Sequence, residues 1–224
     1  MKLSSVAIIP DGNRRYSKKT STPLMQAYGC GFKKSQDVVK WCAEAKIKSL
    51  TLWALSLENF SQRSKNELKI LFNLMKKHTQ KAKKSKLFEK HQASVNFFGK
   101  LELLPKDLQK EIHDLEKKTE HFDNVKMNVA MAYSGKEELL SAARKMIENK
   151  ARPSETIFEN SLYFKETPDL IIRTGNVQRL SGFLPWQAAY SELYFSPKLW
   201  PEFTQSDFKQ AINYYNQAER RFGK

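Results

Sequence analysis

The chain has 224 residues, 39 Lys and Arg against 24 Asp and Glu, a net charge of +15, and 40% hydrophobic residues. That suits one α/β domain with a sizeable core and excludes a disordered chain. The positive surplus points to polyanionic partners: nucleic acid, anionic lipid or phosphorylated small molecules.

In chain order, "SVAII" (5–9) reads as a buried strand, and residues 24–46 as a helix with Val38, Cys42 and Ala45 on one face. Cys30 and Cys42 share that helix, about 18 Å apart at ~1.5 Å per residue, too far for a disulfide with its reach of roughly 7 Å. Two isolated thiols fit a reducing cytoplasm. "SLTLWALS" (49–56) is the next strand. A long helix over 64–86 follows, with Leu68, Leu71, Phe72 and Met75 at helical spacing. Then come a strand at 94–99, a helix at 106–119, a strand at 125–133 and a helix at 136–149. "DLIIRTG" (169–175) and "SELYFS" (191–196) read as further strands, and a helix at 205–220 closes the chain.

This alternation predicts a single α/β domain over residues 1–224: a mostly parallel central sheet flanked by helices. No apolar run approaches the ~18 residues of a bilayer span, and "MKLSSVAIIP" has too short an apolar run for a signal peptide. A soluble, cytoplasmic protein is expected. Ligands of open α/β sheets sit beyond the carboxyl ends of the strands, where three polar clusters fall here: "PDGNRR", "SLENF" and "RTG".

"AIIPDGNRRYSKK" (7–19) carries the sharpest chemistry. Asp11-Gly12-Asn13 is also an ordinary turn sequence. Arg14 and Arg15 add guanidinium forks suited to phosphate, at a point where a helix would begin. A carboxylate among phosphate-binding groups repels the ligand unless a cation sits between them, so the stretch reads as a Mg²⁺–diphosphate site. It is neither a Walker loop nor G-x-G-x-x-G. "DLIIRTGNVQRLSGF" (169–183) offers Arg173, Arg179 and Ser181 for a second diphosphate, or else a loop with solvated arginines. "SLENFSQRSKNE" (56–67) supplies Asn59 to orient a ligand and Phe60 to pack on an apolar chain; Phe60 reads equally well as core, and Arg63 with Glu67 as an i,i+4 surface pair.

Together with "MNVAMAYSGKEELL", "LWPEF" and "ERRFG", and taken in chain order, these stretches resemble the cis-prenyltransferases, the undecaprenyl diphosphate synthase family, over nearly the whole chain. The resemblance implies a parallel-sheet homodimer with a hydrophobic tunnel between sheet and helices. It implies Mg²⁺-dependent condensation of isopentenyl diphosphate onto an allylic prenyl diphosphate, farnesyl or geranylgeranyl, with each new double bond cis. It makes Asp11 the residue that holds Mg²⁺ and diphosphate, Gly12, Asn13 and Arg15 its phosphate-binding neighbours, and Arg14 and Tyr16 further substrate contacts of that stretch. Asn13 and Asn59 are implied near the reacting carbon, with Phe60, Arg63 and Glu67 beside them. Arg173, Arg179 and Ser181 match the isopentenyl diphosphate site, and Glu192 a metal-binding glutamate. Arg221 and Gly223 match an Arg-x-Gly that completes a partner subunit's site.

Leu24 and Tyr28 stand where many bacterial members carry Arg and His, Arg14 where they have Gly, and Gln178 where they have His. "FSQRS" is one residue longer than the usual spacing, so the chain is closer to the archaeal and eukaryotic branch. Ala54, Leu55, Leu71, Phe72 and Met75 are candidate tunnel walls and equally candidate core. The lysine run at 76–90 reads as a solvated helix face or as an attraction to anionic lipid headgroups, a peripheral membrane contact. A non-catalytic partner subunit of the same fold, or a basic nucleic-acid-binding protein, are the alternatives; the intact aspartate motif argues against the first and the lack of any binding motif against the second.

Overall fold

The computed structural model describes residues 2–218. Six strands are joined by helices: β1 (Ser5–Ile9), β2 (Ser49–Trp53), β3 (Ala93–Gly99), β4 (Val125–Met131), β5 (Leu170–Arg173) and β6 (Glu192–Phe195). The helices are α1 (Asn13–Thr20), α2 (Leu24–Glu44), α3 (Leu57–Gln62), α4 (Lys65–Lys84), α5 (Leu87–His91), α6 (Lys106–Thr119), α7 (Gly135–Glu148), α8 (Glu155–Ser161) and α9 (Gln205–Gln217). The strands form one sheet in the order β3-β4-β2-β1-β5-β6, parallel at every pairing.

Central strands buried on both faces need continuous apolar runs, and β1 and β5 have them. Their side chains alternate between two cores. Val6, Ile8, Leu170 and Ile172 face the larger one, built with α2, α4, α6 and α9; Ala7, Ile9 and Ile171 face a smaller one with Tyr133, Phe164 and Phe183. Successive strands first spread from β1 toward β3, and the chain then returns to place β5 on the other side of β1. The winding reverses beside β1, which opens a crevice at the carboxyl ends of β1 and β5.

The long helices match their periodicity within a few residues. Ala45, expected on the buried face, is exposed at the C-cap of α2. The strand expected at 49–56 stops at Trp53: the N–H groups of Ala54 and Leu55 both turn to the Ala130 carbonyl, and Ser56 caps α3 by accepting the Asn59 N–H at 2.9 Å. Helices α3, α5 and α8 are absent from the sequence reading, and of α1 only the start was read. Each is at most 8 residues long, and α1 buries none of its residues, so no apolar period marks it.

Candidate active site

Beyond the carboxyl ends of β1, β2 and β5 lies a cleft of about 970 Å³. Asp11 sits at its floor, two residues past β1. Its Oδ2 accepts from Arg173 Nη2 at 2.9 Å and its Oδ1 from Arg15 Nη2 at 3.1 Å. The Asp11 carbonyl accepts from the Thr174 hydroxyl at 2.8 Å and from the Trp200 N–H at 3.0 Å. The side chain is thus held from β5 and α1 and the carbonyl from the segments after β5 and β6, while the side chain stays 30% exposed. Register makes this possible: Ile9 pairs with Arg173, so the two chain segments leave the sheet side by side.

Two glycines permit the approach. Gly12, at φ 117°, is the N-cap of α1, and a Cβ there would lie 2.9 Å from the Leu199 side chain. Gly175, at φ 89°, would drive a Cβ into the Arg15 guanidinium, which donates to the Gly175 carbonyl at 2.6 Å. Asn13 begins α1 with its Oδ1 buried and without a partner, close against Gly31. An acceptor left without a partner costs about 1–3 kcal/mol in a folded state.

Arg173 is itself buried. Its Nη1 donates to Ser181 Oγ at 2.8 Å and to the Arg179 carbonyl, so it organises the loop that follows β5. Only Nε lacks a partner. Of the second predicted cluster, Arg173 and Ser181 line the cleft; the Arg179 side chain is exposed and does not. Arg179 enters through its carbonyl because Ser181 and Gly182 turn through left-handed backbone, at φ 54° and 83°.

Across the cleft, Arg14 and Arg63 approach Glu67 Oε1 through Nε, at 3.9 and 3.4 Å. The Tyr28 hydroxyl donates to the same oxygen at 3.0 Å, and the Arg63 guanidinium lies 5.7 Å from the Tyr28 ring. Arg14, Arg63 and Tyr28 line the cleft and Glu67 does not. Burial pushes the Tyr28 hydroxyl up to about 12, so it stays a donor. Asn59 is exposed at the cleft wall, whereas Phe60 packs into the core 6.2 Å from Phe72. Tyr16, half-buried on α1, is not part of the wall.

Glu192 is not brought to Asp11 within one chain. It opens β6, level with Leu170 and Val6, whereas Asp11 follows Ile9, three strand positions and about 10 Å further on. Arg221 and Gly223 lie outside the described residues. Sequence reasoning missed Glu58, whose Oε1 accepts from the Ser134 hydroxyl at 2.7 Å, and Lys18, Lys136 and Trp53, all in the cleft wall. Ser134 belongs to the quoted "AYSGKEELL", but its place beside Glu58 depends on β4 lying next to β2.

A second cavity, about 110 Å³ and almost wholly apolar, lies between the sheet and α2, α4 and α6. Pro10, Phe32, Ser35, Ala54 and Met75 line both it and the cleft. Of the expected wall residues, Ala54 and Met75 line both and Leu71 lines the cleft; Leu55 and Phe72 line neither. The α6 side, with Leu108, Ile112 and Leu115, was not foreseen.

Among the described residues no three His, Cys, Asp or Glu gather as a metal cage. One partly exposed carboxylate amid arginines does fit Mg²⁺, which keeps several waters and takes one or two carboxylates together with phosphate oxygens.

The family model for undecaprenyl diphosphate synthase, a prenyltransferase model, matches residues 9–223. The chain is similar to a tritrans,polycis-undecaprenyl-diphosphate synthase (geranylgeranyl-diphosphate specific) of Thermoplasma volcanium, 40% identical over 98% of this chain and 88% of that protein. An isoprenyl transferase of Thermotoga maritima is 39% identical over 97% of this chain and 95% of its own. The crystal structure of lavandulyl diphosphate synthase from Lavandula x intermedia, in complex with dimethylallyl diphosphate, superimposes with a TM-score of 0.93 at 32% identity, over 100% of this chain and 99% of that one.

Proposed function

This chain belongs to the undecaprenyl diphosphate synthase family of prenyltransferases, and on that premise we propose that it condenses isopentenyl diphosphate onto an allylic prenyl diphosphate. The product is a polyprenyl diphosphate with cis double bonds, the precursor of a glycosyl carrier lipid. In each round a bond forms between the allylic carbon and the terminal alkene carbon of isopentenyl diphosphate. Inorganic diphosphate leaves with the electron pair of the broken C–O bond, and a proton is lost from the isopentenyl chain. The name of the Thermoplasma relative supports geranylgeranyl diphosphate as the primer.

The observation that carries this reading is an arginine-lined cleft sharing five wall residues with an apolar cavity, which suits a substrate with a diphosphate head and a hydrocarbon tail. Asp11, Gly12, Asn13, Arg14, Arg15 and Arg63 would hold the allylic diphosphate, with Asn59 near the reacting carbon. Arg173 and Ser181 would face isopentenyl diphosphate. The guanidiniums stabilise charge that builds on the departing diphosphate, and fixing both substrates in one cleft supplies the proximity contribution. Mg²⁺, held by Asp11, would neutralise diphosphate oxygens when bound. The tail gains ~0.8 kcal/mol per CH₂ moved from water into the apolar cavity.

A catalytically silent partner subunit has no use for an aspartate held by two arginines, and the nucleic-acid reading rests on net charge alone. We take the working unit to be a cytoplasmic homodimer that touches the membrane peripherally to release its product; no helix among the described residues is long and apolar enough to cross one. The test is incorporation of labelled isopentenyl diphosphate into butanol-extractable product, with Mg²⁺ and geranylgeranyl, farnesyl or dimethylallyl diphosphate. Product should form, best from the geranylgeranyl primer. No product from any primer would overturn the reading.

A further inference from the structure

Four segments meet at a single carboxylate oxygen. Arg14 comes from α1, Tyr28 from α2, Arg63 from the C-cap of α3 and Glu67 from the first turn of α4. Each guanidinium comes closest to Glu67 Oε1 through Nε. The terminal NH₂ forks, which suit a phosphate bidentately, are therefore not taken by this carboxylate. Arg63 has a side chain only 14% exposed, and its buried Nε has no hydrogen-bond partner. One carboxylate and two arginines leave a net positive charge facing the cleft. The Tyr28 hydroxyl makes the shortest contact to that oxygen, at 3.0 Å, and its ring, 6% exposed, lies under Arg63.

We propose that Tyr28 is a positioning residue for the allylic diphosphate: its hydroxyl fixes Glu67, and Glu67 in turn aims Arg14 and Arg63 into the cleft. The inference rests on the prenyl transfer proposed above. Tyr28 stays neutral and donating across the working pH range. It therefore orders the carboxylate without cancelling the charge that attracts the ligand. A lysine in its place would add charge but lose the flat ring that supports Arg63.

The test is Tyr28→Phe, which keeps the ring and removes one hydroxyl. With wild-type protein making product, the variant should keep its melting temperature within a few degrees. Its KM for the allylic diphosphate should rise about tenfold, the worth of one hydrogen bond to a charged group, with KM for isopentenyl diphosphate unchanged. Glu67→Gln combined with Tyr28→Phe should cost little more than Glu67→Gln alone, because both act through one oxygen. Strictly additive losses would overturn the proposal. So would an allylic KM within twofold of wild type, a rise confined to isopentenyl diphosphate, or a loss of melting temperature and kcat at constant KM. Wild-type protein that makes no product from any primer would instead remove the prenyl-transfer reading itself and the positioning role with it.

Discussion

Two carboxylates in this molecule are each shared by two arginines, and the resemblance ends there. Asp11 uses a separate oxygen for Arg15 and for Arg173, at 3.1 and 2.9 Å, and itself faces the cleft. Glu67 offers a single oxygen to Arg14 and Arg63 at 3.9 and 3.4 Å, takes a third contact from Tyr28, and stays behind the wall. The two arginines of α1 are consecutive residues, about 100° apart around the helix axis, so one helix of eight residues serves both clusters. The same charge pattern thus yields an acid in the cleft wall, proposed to meet the ligand, and an acid behind it, proposed to aim its neighbours. Which role results depends on which partner the cleft exposes.

The contrast can be tested by removing its members in turn. Asp11→Ala should have the largest effect: at least about a hundredfold loss of turnover, as when a group aimed at developing charge is removed, with the far-ultraviolet circular dichroism unchanged. Near-normal turnover would mean that Asp11 is not the ligand-facing acid. Arg173→Ala should come next, lowering thermal stability by about 2 kcal/mol because it unties Asp11 and Ser181 together, and raising KM for isopentenyl diphosphate. If its stability is untouched, the buried guanidinium is not the strut described here. Glu67→Gln should raise the allylic KM about tenfold while kcat falls less, since a positioning acid touches no reacting atom. A collapse of kcat as deep as that of Asp11→Ala would erase the distinction. Arg179→Ala should change either KM by less than about threefold, because its carbonyl and not its guanidinium meets Arg173. A larger change would place that side chain on the substrate.

Asp11 and Arg15 were read from the sequence as one site, but Arg173, read as part of a second diphosphate site, joins them only through the register of β1 and β5, and the Glu67 cluster was not legible as a cluster. Asp11 stands out because an acid directly following an apolar strand and preceding two arginines has few structural uses. The strands and long helices were legible because apolar runs and 3.6-residue spacing record burial. Helix α1 left no such record, having no buried residue. Glu192, implied as a metal ligand by the resemblance alone, starts the strand read at 191–196, and the pairing of Leu170 with Glu192 sets it apart from Asp11 within one chain. Arg63 and Glu67 could be read as an i,i+4 pair, yet nothing local reveals that Arg14 and Tyr28, from two other helices, converge on the same oxygen. Phe60 shows the reverse: an aromatic offered by the sequence to an apolar substrate chain or to the core packs against the core.

The apolar cavity measures about 110 Å³, and an engineered cavity of about 150 Å³ holds a single benzene ring. A hydrocarbon tail longer than roughly one five-carbon unit must therefore make its own room. The wall best placed to yield is α4, whose outer side is stitched to α6 by Lys76 with Asp107 and by Lys83 with Asp114 and Glu111. Surface stitches of this kind hold with no more than about 1 kcal/mol apiece and re-form after slipping. On the proposed reading, a tail that outgrows this cavity has to displace α4 against these ion pairs.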